Sequence, residues 1–297
     1  MSAEHPPVQF HAREGHRIAY LAHGADRPGT PLVFLHGLSV SVRFWEHAMY
    51  DEIRNHYPWY SIGLPLHAPS TFPRDFRERD IDEHLFFRLL HSTIRHLVGD
   101  RAVILIGHSL GGFAALNFAA KNPDQTLGVV AIGAFATGRA EGLEGLLENL
   151  TERSFVSQRA FHLGWRFLQS SVAALRFVVR FYAADRDALA RYAPLLPTLR
   201  LIFQDVKRHD RRAMRHLFHW LLSLDVTDEA AAIRCPVLVM AGDRDPIVPY
   251  RHQVKFVEQL PKGILMTFEG AGHLVFAERP AQFKAGLLYF IRAFAEN

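Results

Sequence analysis

The residues best placed to do chemistry begin at Gly107-His108-Ser109-Leu110-Gly111-Gly112. An apolar run, Ala102–Ile106, precedes them, and Phe113–Ala120 follows with helical character. A buried strand, a glycine turn and a helix lift the Ser109 hydroxyl out of the backbone at a helix N-terminus, the nucleophile-elbow pattern G-x-S-x-G. Gly107 and Gly111 let strand and helix approach around a strained serine. The competing reading is a glycine-rich turn with an incidental serine. A serine hydroxyl is a weak nucleophile, so it needs a base, and the base needs an orienting carboxylate.

Two later loops offer these groups. Ala241-Gly242-Asp243-Arg244-Asp245-Pro246-Ile247-Val248-Pro249 follows the apolar run Pro236–Met240, and Glu269-Gly270-Ala271-Gly272-His273 follows Ile264–Phe268. The chain order Ser, Asp, His is the one that accompanies this elbow. Loops after the strands of a parallel sheet are where such groups gather. Asp243 and Asp245 are both candidates for the acid, and both could instead be turn formers. After Leu127–Ile132 the nearest acid is Glu141.

With these three loops in this order, the chain resembles the α/β-hydrolase family everywhere except its middle segment. The resemblance implies Asp245 as the acid, His273 as the base and Asp243 as a turn residue. It implies an oxyanion hole built from the amides of Leu110 and Leu38, the latter in His36-Gly37-Leu38-Ser39. His36 and His108 are expected to be structural. One loop departs from the family: Gly63-Leu64-Pro65-Leu66-His67-Ala68-Pro69-Ser70 lacks the usual aspartate and two later glycines. Its turn chemistry must therefore differ.

The resemblance implies a serine hydrolase working through an acyl-enzyme on a small-molecule ester, with no cofactor and no metal. Haloalkane dehalogenases and epoxide hydrolases carry an aspartate at the elbow, so Ser109 argues against both. A C–C bond hydrolase, a lactonase and a thioesterase stand as alternatives on the same triad. So does a non-catalytic ligand-binding protein of this fold.

Positioning these loops requires an α/β core. The hairpin Val8–Ala12 with His16–Leu21, the runs Pro31–Leu35 and Trp59–Ile62, and a helix expected over Trp45–Asn55 lead to an amphipathic helix from Asp80 to Val98. A last helix runs from Pro280 to Glu296. Alternating strands and helices predict a mostly parallel central sheet covered by helices on both faces. From Thr137 the strand signal stops. Residues 1–136 and 226–297 are expected to form the core, and 137–225 a helical cap.

Between Thr137 and Val226 there are 14 Lys and Arg against 9 Asp and Glu, while the whole chain carries +4. The basic excess is densest at Lys207–Arg212 and Arg215. It reads as a solvated helical face, as weak peripheral contact with an anionic membrane, or as a surface for an acidic partner. No nucleic-acid motif accompanies it. Cap residues Phe155, Phe161, Trp165, Phe167, Phe177, Phe181 and Tyr182 could line a pocket or fill the cap's own core. The single cysteine, Cys235, allows no intrachain disulfide and reads as a small buried hydrophobe. The N-terminus lacks a signal-peptide pattern, no apolar run is long enough to span a bilayer, and a cytoplasmic monomer or homodimer is expected.

Overall fold

The computed structural model describes residues 6–46, 49–77, 80–135, 141–142, 145–146, 151 and 155–295. Among the described residues, eight strands form one sheet: β1 (Gln9–Arg13), β2 (His16–His23), β3 (Leu32–Leu35), β4 (Trp59–Ile62), β5 (Val103–His108), β6 (Thr126–Ile132), β7 (Val237–Gly242) and β8 (Gly263–Phe268). Their order is β1-β2-β4-β3-β5-β6-β7-β8. The β1–β2 and β2–β4 pairs are antiparallel, and the rest are parallel. The β1–β2 turn places Glu14 and Gly15 at positive φ (51° and 76°), as a tight two-residue hairpin requires.

The helices outside the middle segment are α1 (Asp51–His56), α2 (Glu83–Val98), α3 (Leu110–Lys121), α9 (Tyr250–Gln259), α10 (Val275–Glu278) and α11 (Pro280–Ala295). Between β6 and β7 lie α4 (Phe155–Leu168), α5 (Val172–Val179), α6 (Arg186–Arg191), α7 (Leu195–Val206) and α8 (Arg211–Leu221). Side chains alternate across the sheet with the two-residue period of a strand. Val103 and Leu105 join Phe86 of α2 and Phe113 of α3 on one face. Ile104 and Ile106 join Ile53 of α1 and Leu287 of α11 on the other. Burial on both faces explains why the central strands read as unbroken apolar runs.

The amphipathic helix expected from Asp80 begins at Glu83, because Asp82 caps it by accepting from the Leu85 amide at 2.7 Å. The helix expected over Trp45–Asn55 is a correction: among the described residues of this span, helix begins only at Asp51, in α1. Residues 41–46 instead make successive turns, with Phe44 N donating to Ser41 O and Glu46 N to Arg43 O. A helix would splay the adjacent Phe44 and Trp45 rings. The turns bury both, and the Trp45 indole donates to Leu35 O at 3.3 Å.

The helices between β6 and β7 extend the core on the α2–α3 face of the sheet, where Phe86 and Phe87 meet the Trp220 ring. Phe161 and Trp165 of α4 stack at 5.8 Å and meet the Phe218 ring of α8 edge-on. Among the described residues, no helix is long and apolar enough to cross a membrane.

Candidate active site

Ser109 stands between β5 and α3 with φ 53° and ψ −121°, a conformation that side-chain-bearing residues rarely hold. It is held from both sides. Its amide donates to Ile132 O at 2.9 Å, and its carbonyl accepts from Gly112 N and Phe113 N. The glycines around it are sterically required. A Cβ on Gly107 would lie 2.2 Å from Gly111 O, and one on Gly111 would lie 2.5 Å from His36 O. Gly112 meets Ala134 in the same way, at 2.5 Å.

His273 and Asp245 come together from the loops after β8 and β7. His273 Nδ1 donates to Asp245 Oδ2 at 2.8 Å, with both side chains buried. The second carboxylate oxygen accepts from the amides of Ile247 (2.8 Å) and Val248 (3.0 Å). Asp245 thus accepts from three donors, and the imidazole keeps its proton on Nδ1, leaving Nε2 as the basic nitrogen. Gly133, at φ 51° after β6, leaves room for the ring: a Cβ there would approach His273 Nδ1 to 3.1 Å.

Asp243 takes a different part from Asp245. Its Oδ1 accepts from Gly270 N at 2.7 Å, so it ties the acid loop to the histidine loop. Glu278, which the sequence reading missed, does more. Its buried carboxylate accepts from the amides of Gly272 (2.9 Å), Leu274 (3.3 Å), Ala184 (2.9 Å) and Asp185 (2.7 Å). His273 N also donates to Tyr182 O at 2.8 Å. The histidine loop is therefore fastened to the inserted segment at 182–185. Burial pushes the Glu278 carboxyl pKa up, against the pull of those four amides. The available sequence signal was an acid closing the apolar run Leu274–Ala277.

The opposite wall is organised by histidines. His36 Nε2 accepts from Leu64 N at 3.0 Å, so its proton sits on Nδ1 and goes to Gly37 O at 2.7 Å. His67 Nε2 accepts from Ser39 N at 3.2 Å, and its Nδ1 donates to Pro65 O at 3.1 Å. His209, between α7 and α8, accepts from Ala68 N at 3.1 Å and donates to Val40 O at 3.0 Å. The three rings meet edge to face at 5.1 and 5.4 Å. Each imidazole must stay neutral, since one nitrogen accepts from a backbone amide. Burial accordingly lowers their pKa values, to about 4 for His67, to about 3 for His209, and well below the usual value for His36.

This network orients the amide of Leu38. Gly37 C=O and Leu38 N–H belong to one planar trans peptide, so fixing the carbonyl on His36 points the N–H the other way. The next peptide is fixed through Ser39 N, with Ser39 at φ 68°. Leu110 opens α3, and its amide is among those that helix geometry leaves without an intrahelical acceptor. The unusual Gly63–Ser70 loop is now accounted for. His67 supplies the contact to the 36–40 loop, and Ser70 Oγ accepts from Ala19 N at 2.9 Å. His108, like His36, is buried and bonded to backbone, with Nε2 donating to His273 O at 3.1 Å.

A cavity opens over Ser109 and His273, bounded by Phe44 and Phe276 from the core and by Leu175, Val179, Leu199 and others from the insertion. Its described lining contains no Asp, Glu, Lys or Arg. The inserted aromatics divide three ways. Tyr182 lines the cavity, Phe161 and Trp165 are buried in the core against Phe218, and Phe167, Phe177 and Phe181 face outward. The side chain of Phe155 lies outside the described residues. Cys235 is buried, and its thiol pKa is pushed up to about 11.

Known proteins resemble this chain along most of its length. A protein of Pseudomonas savastanoi pv. phaseolicola described as "Putative carbamate hydrolase RutD" is 27% identical over 288 residues, covering 94% of this chain and 98% of the relative. The structure of a thermophilic esterase from Thermogutta terrifontis superposes with a TM-score of 0.73 at 19% identity, over 98% of this chain and 99% of that one. An enol-lactonase from Burkholderia xenovorans gives 0.72 at 16% identity, over 95% and 99%. Both structural likenesses concern the fold. The model of the alpha/beta hydrolase family matches residues 32–285, most of the chain, and the chain belongs to that family.

Proposed function

We propose that the chain is a serine hydrolase that cleaves carboxylic esters carrying an apolar acyl or aryl group. The observation that carries this reading is the pairing of a Ser109 held at φ 53° with an uncharged cavity directly over it. His273 takes the Ser109 proton on Nε2 as the hydroxyl attacks the ester carbonyl. Asp245 holds the ring and stabilises the imidazolium that forms. The amides of Leu38 and Leu110 receive the negative oxygen of the tetrahedral intermediate. His273 then protonates the leaving alcohol, and water repeats the sequence on the acyl-enzyme.

Carbamate hydrolysis, the reaction in the name of one relative, is served less well. A small polar substrate would find few polar partners in this cavity, and unpaired polar groups are costly to bury. An ester with a hydrocarbon acyl chain pays no such penalty.

Labelling with a fluorophosphonate, followed by peptide mapping, should place the label on Ser109. Aryl esters of increasing acyl length should then show an optimum set by cavity depth. Ser109→Ala is expected to lower kcat by about 10⁶-fold, as when one member of a cooperating triad is removed. An unlabelled Ser109 together with no turnover of any acyl ester would overturn the reading.

A further inference from the structure

The outer face of the insertion carries apolar side chains that the fold leaves uncovered. Val156, Leu163 and Phe167 lie on one side of α4 at spacings of seven and four residues, and are 76%, 65% and 50% exposed. The stripe continues onto α5. The Phe167 and Phe177 rings meet edge-on at 6.1 Å, and Phe177 meets Phe181 at 5.3 Å, these two being 51% and 41% exposed. Scattered single hydrophobes are ordinary on a protein surface, but a contiguous set is not.

The charges around this stripe are one-sided. Residues 155–191 contain six arginines and two aspartates. Arg166, Arg176, Arg180 and Arg186 are exposed beside the phenylalanines, and the Arg186 guanidinium lies 5.6 Å from the Phe181 ring centre. Of the aspartates, Asp185 faces Arg279 at 2.8 Å, and the exposed Asp187 lies in the same groove as Arg176 and Arg180. That groove shares Leu189 and Leu195 with the cavity over Ser109. The same two side chains thus border the outer face and the site.

We propose that this α4–α5 face is a docking surface for an anionic lipid bilayer. The phenylalanines and Leu163 enter the headgroup and acyl boundary, and the arginines pair with lipid phosphates. Helices with aromatic residues on one side and arginines beside them lie in the interface plane in this way, and each arginine near an anionic leaflet adds attraction. The charge complementarity selects a lipid surface over a second copy of the chain, which would bring like charges together. The proposal rests on α4 and α5, where apolar and basic residues coincide, and not on the basic run at Lys207–Arg215. The proposal goes beyond the esterase reading and stands without it.

The test is flotation of the full chain with vesicles of phosphatidylcholine alone, and of phosphatidylcholine mixed with phosphatidylglycerol. The Ser109→Ala protein is run in parallel, so that hydrolysis of vesicle lipid plays no part. Binding to the mixed vesicles should be at least about tenfold tighter, and should weaken as salt rises. The combined Phe167→Ser, Phe177→Ser and Phe181→Ser variant should lose about tenfold or more in affinity, with an unchanged circular dichroism spectrum and melting temperature. An Arg176→Ser/Arg180→Ser variant, which removes only surface charge, should narrow the preference for the mixed vesicles. Absent binding, equal binding to both vesicles, or binding unaltered in both variants would each overturn the proposal.

Discussion

The two walls flanking Ser109 are fixed by opposite chemistry. On the His273 side, carboxylates collect backbone N–H groups: buried Asp245 takes two, partly buried Asp243 one and buried Glu278 four. On the Leu38 side, His36, His67 and His209 each accept one amide and donate to one carbonyl. A carboxylate can only accept, so it organises a loop by turning amides inward. A neutral imidazole does both, so it bridges two loops while adding no charge beside a site where negative charge would develop. The histidine wall must stay neutral to keep its backbone amides, and that requirement fails in acid.

Glu278→Ala is expected to give the largest effect on this contrast. It strands four amides, two of them buried, and loss of about 3–5 kcal/mol in chemical denaturation is the outcome expected for breaking a buried charged network. Glu278→Gln should recover part of that, since an amide oxygen still accepts. An Ala variant as stable as the parent would mean that the four contacts are incidental.

His67→Phe tests the other wall. The ring volume stays, but Ser39 N and Pro65 O lose their partner, so stability should fall by about 1–3 kcal/mol. If the Leu38 amide serves as proposed, kcat on a soluble aryl ester should fall by up to about 10²-fold with KM little changed. His67→Gln can still accept from Ser39 and should recover much of kcat. A loss confined to stability would reduce His67 to a packing residue.

Acid titration separates the walls without mutation. The histidines are protonated in the unfolded chain below pH 6.5, whereas His67 and His209 stay neutral in the folded chain down to about 4 and about 3. Stability is therefore full above pH 6.5. It falls as pH drops below that value, by about 1.4 kcal/mol per pH unit for each such histidine. Denaturation followed from pH 7 to pH 4 should show this slope, and His209→Phe should make it shallower. A control outside both walls is Arg88→Ala, which breaks an exposed pair with Glu14 at 2.8 Å. Its effect should stay within about 0.5 kcal/mol.

Much of the carboxylate wall was legible in the sequence, because its parts lie in short loops after strands. Gly107–Gly112 and Ala241–Pro249 carry their turn chemistry in adjacent residues. The histidine wall was not legible. Its bonds join residues 28, 141 and 169 positions apart, and nothing in local spacing distinguishes His67 or His209 from the other histidines. The short α1 eluded the pattern for a related reason. Tertiary burial of Phe44 and Trp45 overrode the local helical tendency. The inserted aromatics were recognisable as a class, but only packing could sort core from cavity and from outer face.

The two ends of the insertion's contact with the core bear on how such proteins can be rebuilt. Segment 182–185 is bonded to Glu278 and to the His273 amide, and His209 is bonded to Val40 and Ala68. Residues of the insertion are thus structural parts of both walls. A chimera that exchanges this insertion for another would arrive with a sound sheet and a damaged site, unless it also carried a histidine at the place of His209 and backbone able to meet Glu278. For this chain, specificity cannot be recast by swapping a module. It has to be altered one lining residue at a time.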